Sequence, residues 1–190
     1  MSKRKRQQPS EQDMIVYATH EAGHAVVGHV IGRLIDEVSI VPSREHGYKG
    51  YCRFATYTES LHNHNQWLKG SANPELVTIQ SAGMVAVEII CEWHGWDNEQ
   101  WRRSDLADVL FIDEWCRETF PNEKQRSRVK KACFKQAREI LLRHWDAVDI
   151  IAVDLLQFGW TPGNEAHRMI RQALGEDAPD WRLAASNIEE

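Results

Sequence analysis

The feature that most constrains this chain is the run His20-Glu21-Ala22-Gly23-His24, inside a segment of helical periodicity. Apolar residues recur at helical spacing through residues 13–33, so we predict a helix there. Side chains four residues apart lie one turn apart on the same helix face, which lets His20 and His24 point at one metal ion. Glu21 is rotated by about 100° from His20 and therefore lies beside the metal. The spacing predicts two zinc ligands and a general base within one turn.

The glycine inside this motif needs a structural reason. Gly23 costs about 1 kcal/mol relative to alanine in a helix interior. Two explanations are open: the close approach of a backbone or a substrate next to the metal, or tight packing between helices.

The third metal ligand lies outside the motif. The extended pattern HExxHxxGxxH would require glycine at position 27 and histidine at position 30, and both are valine. His29 misses the register by one, and we predict it to be a polar residue on the outer side of the helix. A distant Glu or Asp must complete the site. One candidate is Glu88, on a predicted second helix over residues 74–93, although a carboxylate there also suits a hydrogen bond to a ligand histidine.

The motif and its surroundings resemble a known family. The run Tyr17 to Gly28 is similar to the start of the peptidase domain of FtsH-type ATP-dependent membrane metalloproteases. Further similarities are Val38-Ser39-Ile40-Val41-Pro42, Gly50-Tyr51, the Gly-Gly-Arg-x-Ala-Glu-Glu-like helix Ala82 to Ile90, the Asn-Asp-Leu-like Ser104-Asp105-Leu106, and residues 137–156 followed by Thr161. The resemblance loosely covers residues 12–172. It implies a helical peptidase fold that carries HExxH on its first long helix, with Asp105 as the third zinc ligand.

The chain also departs from that family. It contains no GxxxxGK[ST] nucleotide-binding loop, and no run of about 18 apolar residues that would predict a membrane span. Ala82-Gly83-Met84 replaces Gly-Gly-Arg, and Val87 replaces the first glutamate of the Glu-Glu pair. The tryptophan-rich segment 93–101 stands where the family has a Thr-Gly-Ala run. We predict this segment to be a loop that lines the cleft or contacts a partner.

The patterning predicts a mainly α fold with a small β-hairpin. The predicted strands are residues 36–42 and 50–57, joined by a turn at 43–47. The later helices cover 105–119, 121–144 and 147–158, and a last helix begins at Thr161 or Asn164 and ends at Leu174. A turn is expected at 159–163. Ser104 would cap the helix over 105–119 and place Asp105 in its first turn, which suits a metal ligand or an ordinary capping acid.

Composition limits the classes of function. The chain has 190 residues and a net charge of −5, so its acidic body argues against a main role in nucleic-acid binding. The basic run Lys3-Arg4-Lys5-Arg6 belongs to a tail over residues 1–11, predicted to be disordered.

A single domain over 12–174 and a loose acidic tail over 175–190 complete the expected organisation. The four cysteines show no paired spacing, which favours reduced thiols and a cytoplasmic location.

These expectations converge on one main function and one alternative. The main expectation is a zinc metalloendopeptidase that hydrolyses unstructured proteins or peptides, with a separate ATPase as a candidate partner and its oligomeric state open. The alternative is a non-catalytic, peptidase-like zinc-binding module that acts as an interaction or regulatory partner. A nucleic-acid-binding role for the basic tail is the third and weakest expectation.

Overall fold

A computed structural model describes residues 9–42, 50–55, 74–102 and 106–175. Within these ranges the chain is mainly helical, with one small sheet. The helices are α1 (Glu11–Val30), α2 (Pro74–His94), α3 (Glu99–Arg102), α4 (Leu106–Thr119), α5 (Glu123–Arg143), α6 (Trp145–Phe158) and α7 (Gly163–Leu174), and the strands are β1 (Ile35–Ser39), β2 (Tyr51–Phe54) and β3 (Trp160–Pro162). The predicted turn at 43–47, the strand residues 56–57 and most of both predicted tails lie outside the described residues.

The motif helix α1 is fixed at both ends by local chemistry. Ser10 and Asp13 form a capping box, in which the Asp13 backbone N–H donates to the Ser10 hydroxyl and the Asp13 carboxylate accepts from the Ser10 backbone. This arrangement satisfies N–H groups that the first turn would leave unpaired. The helix ends at Val30, just before Gly32 adopts a φ of +88° that favours glycine. The predicted helix is therefore confirmed, with both ends shifted towards the N-terminus.

The sheet has three antiparallel strands in the order β2-β1-β3. The predicted pairing of the first two strands is confirmed, with Glu37 opposite Arg53 and Ser39 opposite Tyr51. The turn expected at 159–163 is wrong in part, because residues 160–162 pair with β1 and place Val38 opposite Thr161. Three residues are too few to show strand alternation in the sequence. The central strand is therefore β1.

Two long helices form the centre of the domain. α1 packs against α2 and α6, and α2 packs in turn against α5. The main core contains Ala18, Ala22, Ala25, Val26, Val38, Ala82, Ala86, Ile89, Leu141, Ile151, Leu155 and Ile170. Among the described helices, α2 is long and apolar enough to cross a membrane, but 78% of its most apolar stretch is buried inside the protein. Such burial is what a core helix of a folded domain shows.

His29 is buried, and the prediction that it lies on the outer side of α1 is wrong. Its Nδ1 lies 2.6 Å from Nδ1 of His167, whose Nε2 accepts the Ile35 backbone N–H at 2.9 Å. Since Nε2 of His167 accepts, its proton must be on Nδ1, which then donates to His29. Burial, and secondarily the charge of Arg171, lowers the pKa of His29 to about 4. The pair is a neutral cross-link between α1, β1 and α7.

The tryptophan-rich segment is only partly the loop that the sequence predicts. Trp101 is 2% exposed, lies in the short helix α3, and donates its indole N–H to Asp13 at 3.1 Å. It packs in a second small cluster with Val16 and other apolar residues from α1 and α2. Trp93, by contrast, is 56% exposed and meets Trp145 edge to face, with ring centroids 4.6 Å apart. Trp101 is thus a core residue, and Trp93 remains available at the surface.

Candidate metal centre

The motif histidines converge at one point on α1. His20 and His24 stand one helical turn apart, and their Nε2 atoms are 3.0 Å from each other. His24 is buried and His20 is half-buried. This is the arrangement that the four-residue spacing predicts, and it leaves one ring nitrogen of each side chain directed at a shared point.

A hydrogen bond to α2 decides which nitrogen of His24 faces that point. Nδ1 of His24 lies 2.8 Å from the backbone carbonyl oxygen of Ile79. A carbonyl only accepts, so Nδ1 carries a proton, and the Nε2 of a neutral ring then presents its lone pair to His20. Histidines that bind metals commonly donate their other N–H in this way, because the bond fixes both the ring and its tautomer.

The third side chain at this point is Asp108, the third residue of α4. Its Oδ2 is 3.1 Å from Nε2 of His20 and 3.4 Å from Nε2 of His24. Among the described residues, His20, His24 and Asp108 form the group whose ligand atoms lie close enough together to hold a metal, and Glu88 is not part of it. Asp105, which the resemblance implies as the ligand, lies outside the described residues.

The donor set fits a divalent metal such as zinc. Three atoms bearing lone pairs lie 3.0, 3.1 and 3.4 Å apart, and tetrahedral zinc with bonds of about 2.0–2.1 Å holds its ligand atoms about 3.3 Å apart. Among the described residues, no hydrogen-bond donor other than these two rings faces the buried Oδ2 of Asp108. A Cβ added at Gly83 would lie 2.5 Å from both Nε2 atoms. Glycine therefore keeps open the space in front of the two nitrogens.

The electrostatics of the cluster favour a bound cation. Burial raises the pKa of the Asp108 carboxyl, but the two facing imidazoles outweigh burial and hold this pKa well below its usual range. Burial likewise lowers the pKa of His24, but the charge and hydrogen bond of Asp108 outweigh it, and the net pKa is raised above 6.5. The aspartate is therefore ionised at neutral pH. Its negative charge attracts a proton or a metal ion to the same place, so that the two compete.

Glu21 lies beside this cluster, where the sheet meets α1. It is 7% exposed. A Cβ added at Gly50, just before β2, would lie 2.7 Å from its Oε1 and 2.8 Å from the carbonyl oxygen of Ser39. Glycine at position 50 therefore lets the sheet approach the carboxylate. Burial, and then the charge of Glu21, raises the pKa of the Cys52 thiol well above its usual value. Cys52 therefore stays a neutral thiol at neutral pH, and it does not belong to the group of described residues whose ligand atoms converge.

Gly23 has a packing role, which is one of the two explanations that the sequence leaves open. An added Cβ would lie 2.8 Å from the Ala82 carbonyl oxygen and 2.8 Å from the Ala86 Cβ. Only a glycine lets α1 approach α2 this closely. The approach brings the motif histidines onto Ile79 and Gly83, so helix packing builds the site.

Sequence reasoning missed two contributors to the site. Asp108 was not distinguished from the other acidic residues around it. Gln80 donates from its side-chain amide to Oδ1 of Asp108. The sequence contains a signal for Gln80, namely its spacing from Gly83. The two residues are three positions apart and therefore share a face of α2.

Comparison with known proteins gives a distant relative. No family model matches the chain. The ATP-dependent zinc metalloprotease FtsH 2 of Thermoanaerobacter sp. (strain X514) is 27% identical over 172 residues, which covers 80% of this chain and 32% of that protein. The chain thus spans about a third of the length of this relative. The chain is thus similar, at low identity, to part of a zinc metalloprotease.

Proposed function

We propose that this chain is a zinc-dependent metalloendopeptidase domain of the FtsH type. The observation that carries the proposal is the convergence of Nε2 of His20, Nε2 of His24 and Oδ2 of Asp108 within 3.4 Å of one another. The HExxH spacing, the open space at Gly83 and the similarity to a zinc metalloprotease support it. Asp108, rather than Asp105, is proposed as the third ligand.

Each group has a defined role in this proposal. His20, His24 and Asp108 hold the metal, which when bound polarises the scissile carbonyl and lowers the pKa of a water molecule. The Glu21 carboxylate takes a proton from the attacking water and passes it to the leaving amine. Its buried position beside the sheet restricts the movement of the Glu21 carboxylate, so the base is already held close to the geometry that the reaction needs.

The sheet supports an extended polypeptide as substrate. β2 is an outer strand in the described sheet, and Gly50 at its start lies against Glu21. An extended segment can add to such an edge through backbone hydrogen bonds, which do not depend on side-chain identity. We therefore propose unstructured protein segments or peptides as substrates, with a separate ATPase as a candidate delivery partner.

The test is cleavage of casein by zinc-loaded protein. Glu21→Gln should abolish cleavage and leave one zinc bound, because it removes the base and keeps all three ligands. Glu88→Gln is the matched control, a carboxylate-to-amide change on the neighbouring helix, and it should cleave as wild type does. Chelation should stop cleavage and zinc should restore it. Cleavage by Glu21→Gln at the wild-type rate would refute the proposed mechanism.

A second candidate is the non-catalytic zinc-binding module. The observation in its favour is Trp93, a large aromatic side chain that is 56% exposed at the end of α2. Aromatic side chains of this kind commonly anchor protein interfaces. If folded, zinc-loaded wild-type protein cleaves neither casein nor short peptides, this candidate is favoured, or else a delivery partner is required.

A further inference from the structure

Gln80 contacts the metal centre without being placed to bind the metal itself. It lies on α2, and its side-chain amide donates a hydrogen bond to Oδ1 of Asp108. Because the Asp108 carboxylate is ionised and only accepts, the atom that faces it must be the nitrogen of the amide. This bond occupies one carboxylate oxygen and leaves the other, Oδ2, opposite the two histidines.

Two consecutive residues of α2 therefore orient two ligands from two other helices. The backbone carbonyl of Ile79 holds the ring of His24 from α1, and the side chain of Gln80 holds the carboxylate of Asp108 from α4. Gly83, one turn further along, leaves room for the two ring nitrogens. One face of α2 thus forms the floor of the site.

The carboxylate of Asp108 needs such support because of its place in α4. The buried apolar side chains among the described residues of this helix are Ile112, Trp115 and Cys116, and the first of them lies one turn beyond Asp108. The carboxylate itself can rotate about its last torsion, which has broad preferences. A hydrogen bond to one oxygen removes that freedom and ties the first turn of α4 to α2.

We propose that Gln80 is a positioning residue that selects Oδ2 of Asp108 as the metal-binding atom. This inference rests on the proposed function, since it assumes that His20, His24 and Asp108 hold zinc. An amide suits the role because it donates without adding charge. A carboxylate at position 80 would face a second carboxylate and repel it.

The experiment measures metal affinity and geometry rather than activity alone. Gln80→Met keeps the length of the side chain and removes its donors, and Gln80→Glu replaces the donor with a repelling oxygen. Zinc affinity is measured by competition with a chelator, and the visible absorption of the cobalt-substituted protein reports the ligand geometry. Gln136→Met is the matched control, because Gln136 packs on the same helix through a hydrogen bond from Thr78 and touches no ligand.

We expect Gln80→Met to weaken zinc binding by about 10- to 100-fold, the usual effect of losing a group that supports a metal ligand. Gln80→Glu should weaken it further, and both should shift the cobalt spectrum, while Gln136→Met changes neither. Thermal unfolding of the metal-free proteins shows which variants are folded. If Gln80→Met is not folded, Gln80→Asn is used in its place. Its side chain is a shorter donor, so we expect an intermediate loss of zinc affinity.

The outcomes separate this inference from the function on which it rests. If wild type and Gln80→Met bind zinc equally and give the same cobalt spectrum, the positioning role is wrong and the metal centre stands. If Gln136→Met loses as much affinity as Gln80→Met, the effect is general packing and the role is equally wrong. If the wild-type protein binds no zinc, the proposed function itself fails.

Discussion

Replacing Gly83 with alanine tests the geometry of the metal centre directly. The added Cβ would lie 2.5 Å from Nε2 of both His20 and His24, whereas ordinary van der Waals contact begins at 3.4 Å. Each nitrogen would therefore have to retreat by about 0.9 Å. Ligand distances in metal sites tolerate only about 0.2 Å. We expect zinc affinity to fall at least about 100-fold, because both ligands move and the bond from His24 to Ile79 is disturbed.

The same substitution should change stability very little. Alanine is favoured over glycine inside a helix by about 1 kcal/mol. The weakened hydrogen bond between His24 and Ile79 costs about 1 kcal/mol. The atoms that the new methyl group meets at Gly83 are the ends of side chains, which can rotate away. Urea unfolding of metal-free Gly83→Ala should therefore give a free energy within about 1 kcal/mol of wild type.

Gly23→Ala is the control, because it places the same methyl group against atoms that cannot move away. Its Cβ would lie 2.8 Å from the Ala82 carbonyl and from the Ala86 Cβ, so α1 and α2 must separate at a cost of about 1–3 kcal/mol. Gly83→Ala should therefore lose more zinc affinity in isothermal titration than Gly23→Ala does. Gly23→Ala should lose more free energy of unfolding in urea, measured on the metal-free proteins. Wild-type zinc affinity in Gly83→Ala would refute the placement of the two rings.

Two further perturbations test the identity of the third ligand and the buried histidine pair. Asp108→Asn should reduce zinc affinity at least about 100-fold while Asp105→Asn changes it less than about threefold, and the reverse order in a chelator competition would transfer the ligand to Asp105. The pKa of His29 is lowered to about 4 in the folded chain. As the pH falls from about 6.5 to 4, His29 therefore becomes protonated in the unfolded chain while it stays neutral in the folded chain. This contribution to stability is complete above pH 6.5, and up to about 3 kcal/mol is lost by pH 4. Urea unfolding should show this loss in wild type relative to His29→Gln, and a difference between them that stays constant over that range would contradict it.

Much of the helical architecture follows from local pattern. The helices α1, α2, α5 and α6 begin and end within a few residues of their predicted bounds, because caps, prolines and apolar periodicity act over short distances. The strand β3 could not be predicted from local pattern, because its three residues become a strand only by pairing with β1. The outward orientation expected for His29 failed for a related reason: its partner, His167, comes from α7.

The local sequence is sufficient to predict the motif helix, two candidate metal ligands and the candidate base, because His20, Glu21 and His24 are related by one turn of a regular helix. The completion of the site depends on contacts between distant parts of the chain. On the predicted helix over 105–119, Asp105 and Asp108 are three positions apart, so their side chains differ by about 60° in direction and about 4.5 Å in height. A sequence pattern cannot decide which of the two is the third ligand. The packing of α2 against α1 and α4 placed Asp108, rather than Glu88, opposite the histidines, and set Gln80 and Gly83 around them. These contacts join distant parts of the chain, so their geometry depends on the complete core.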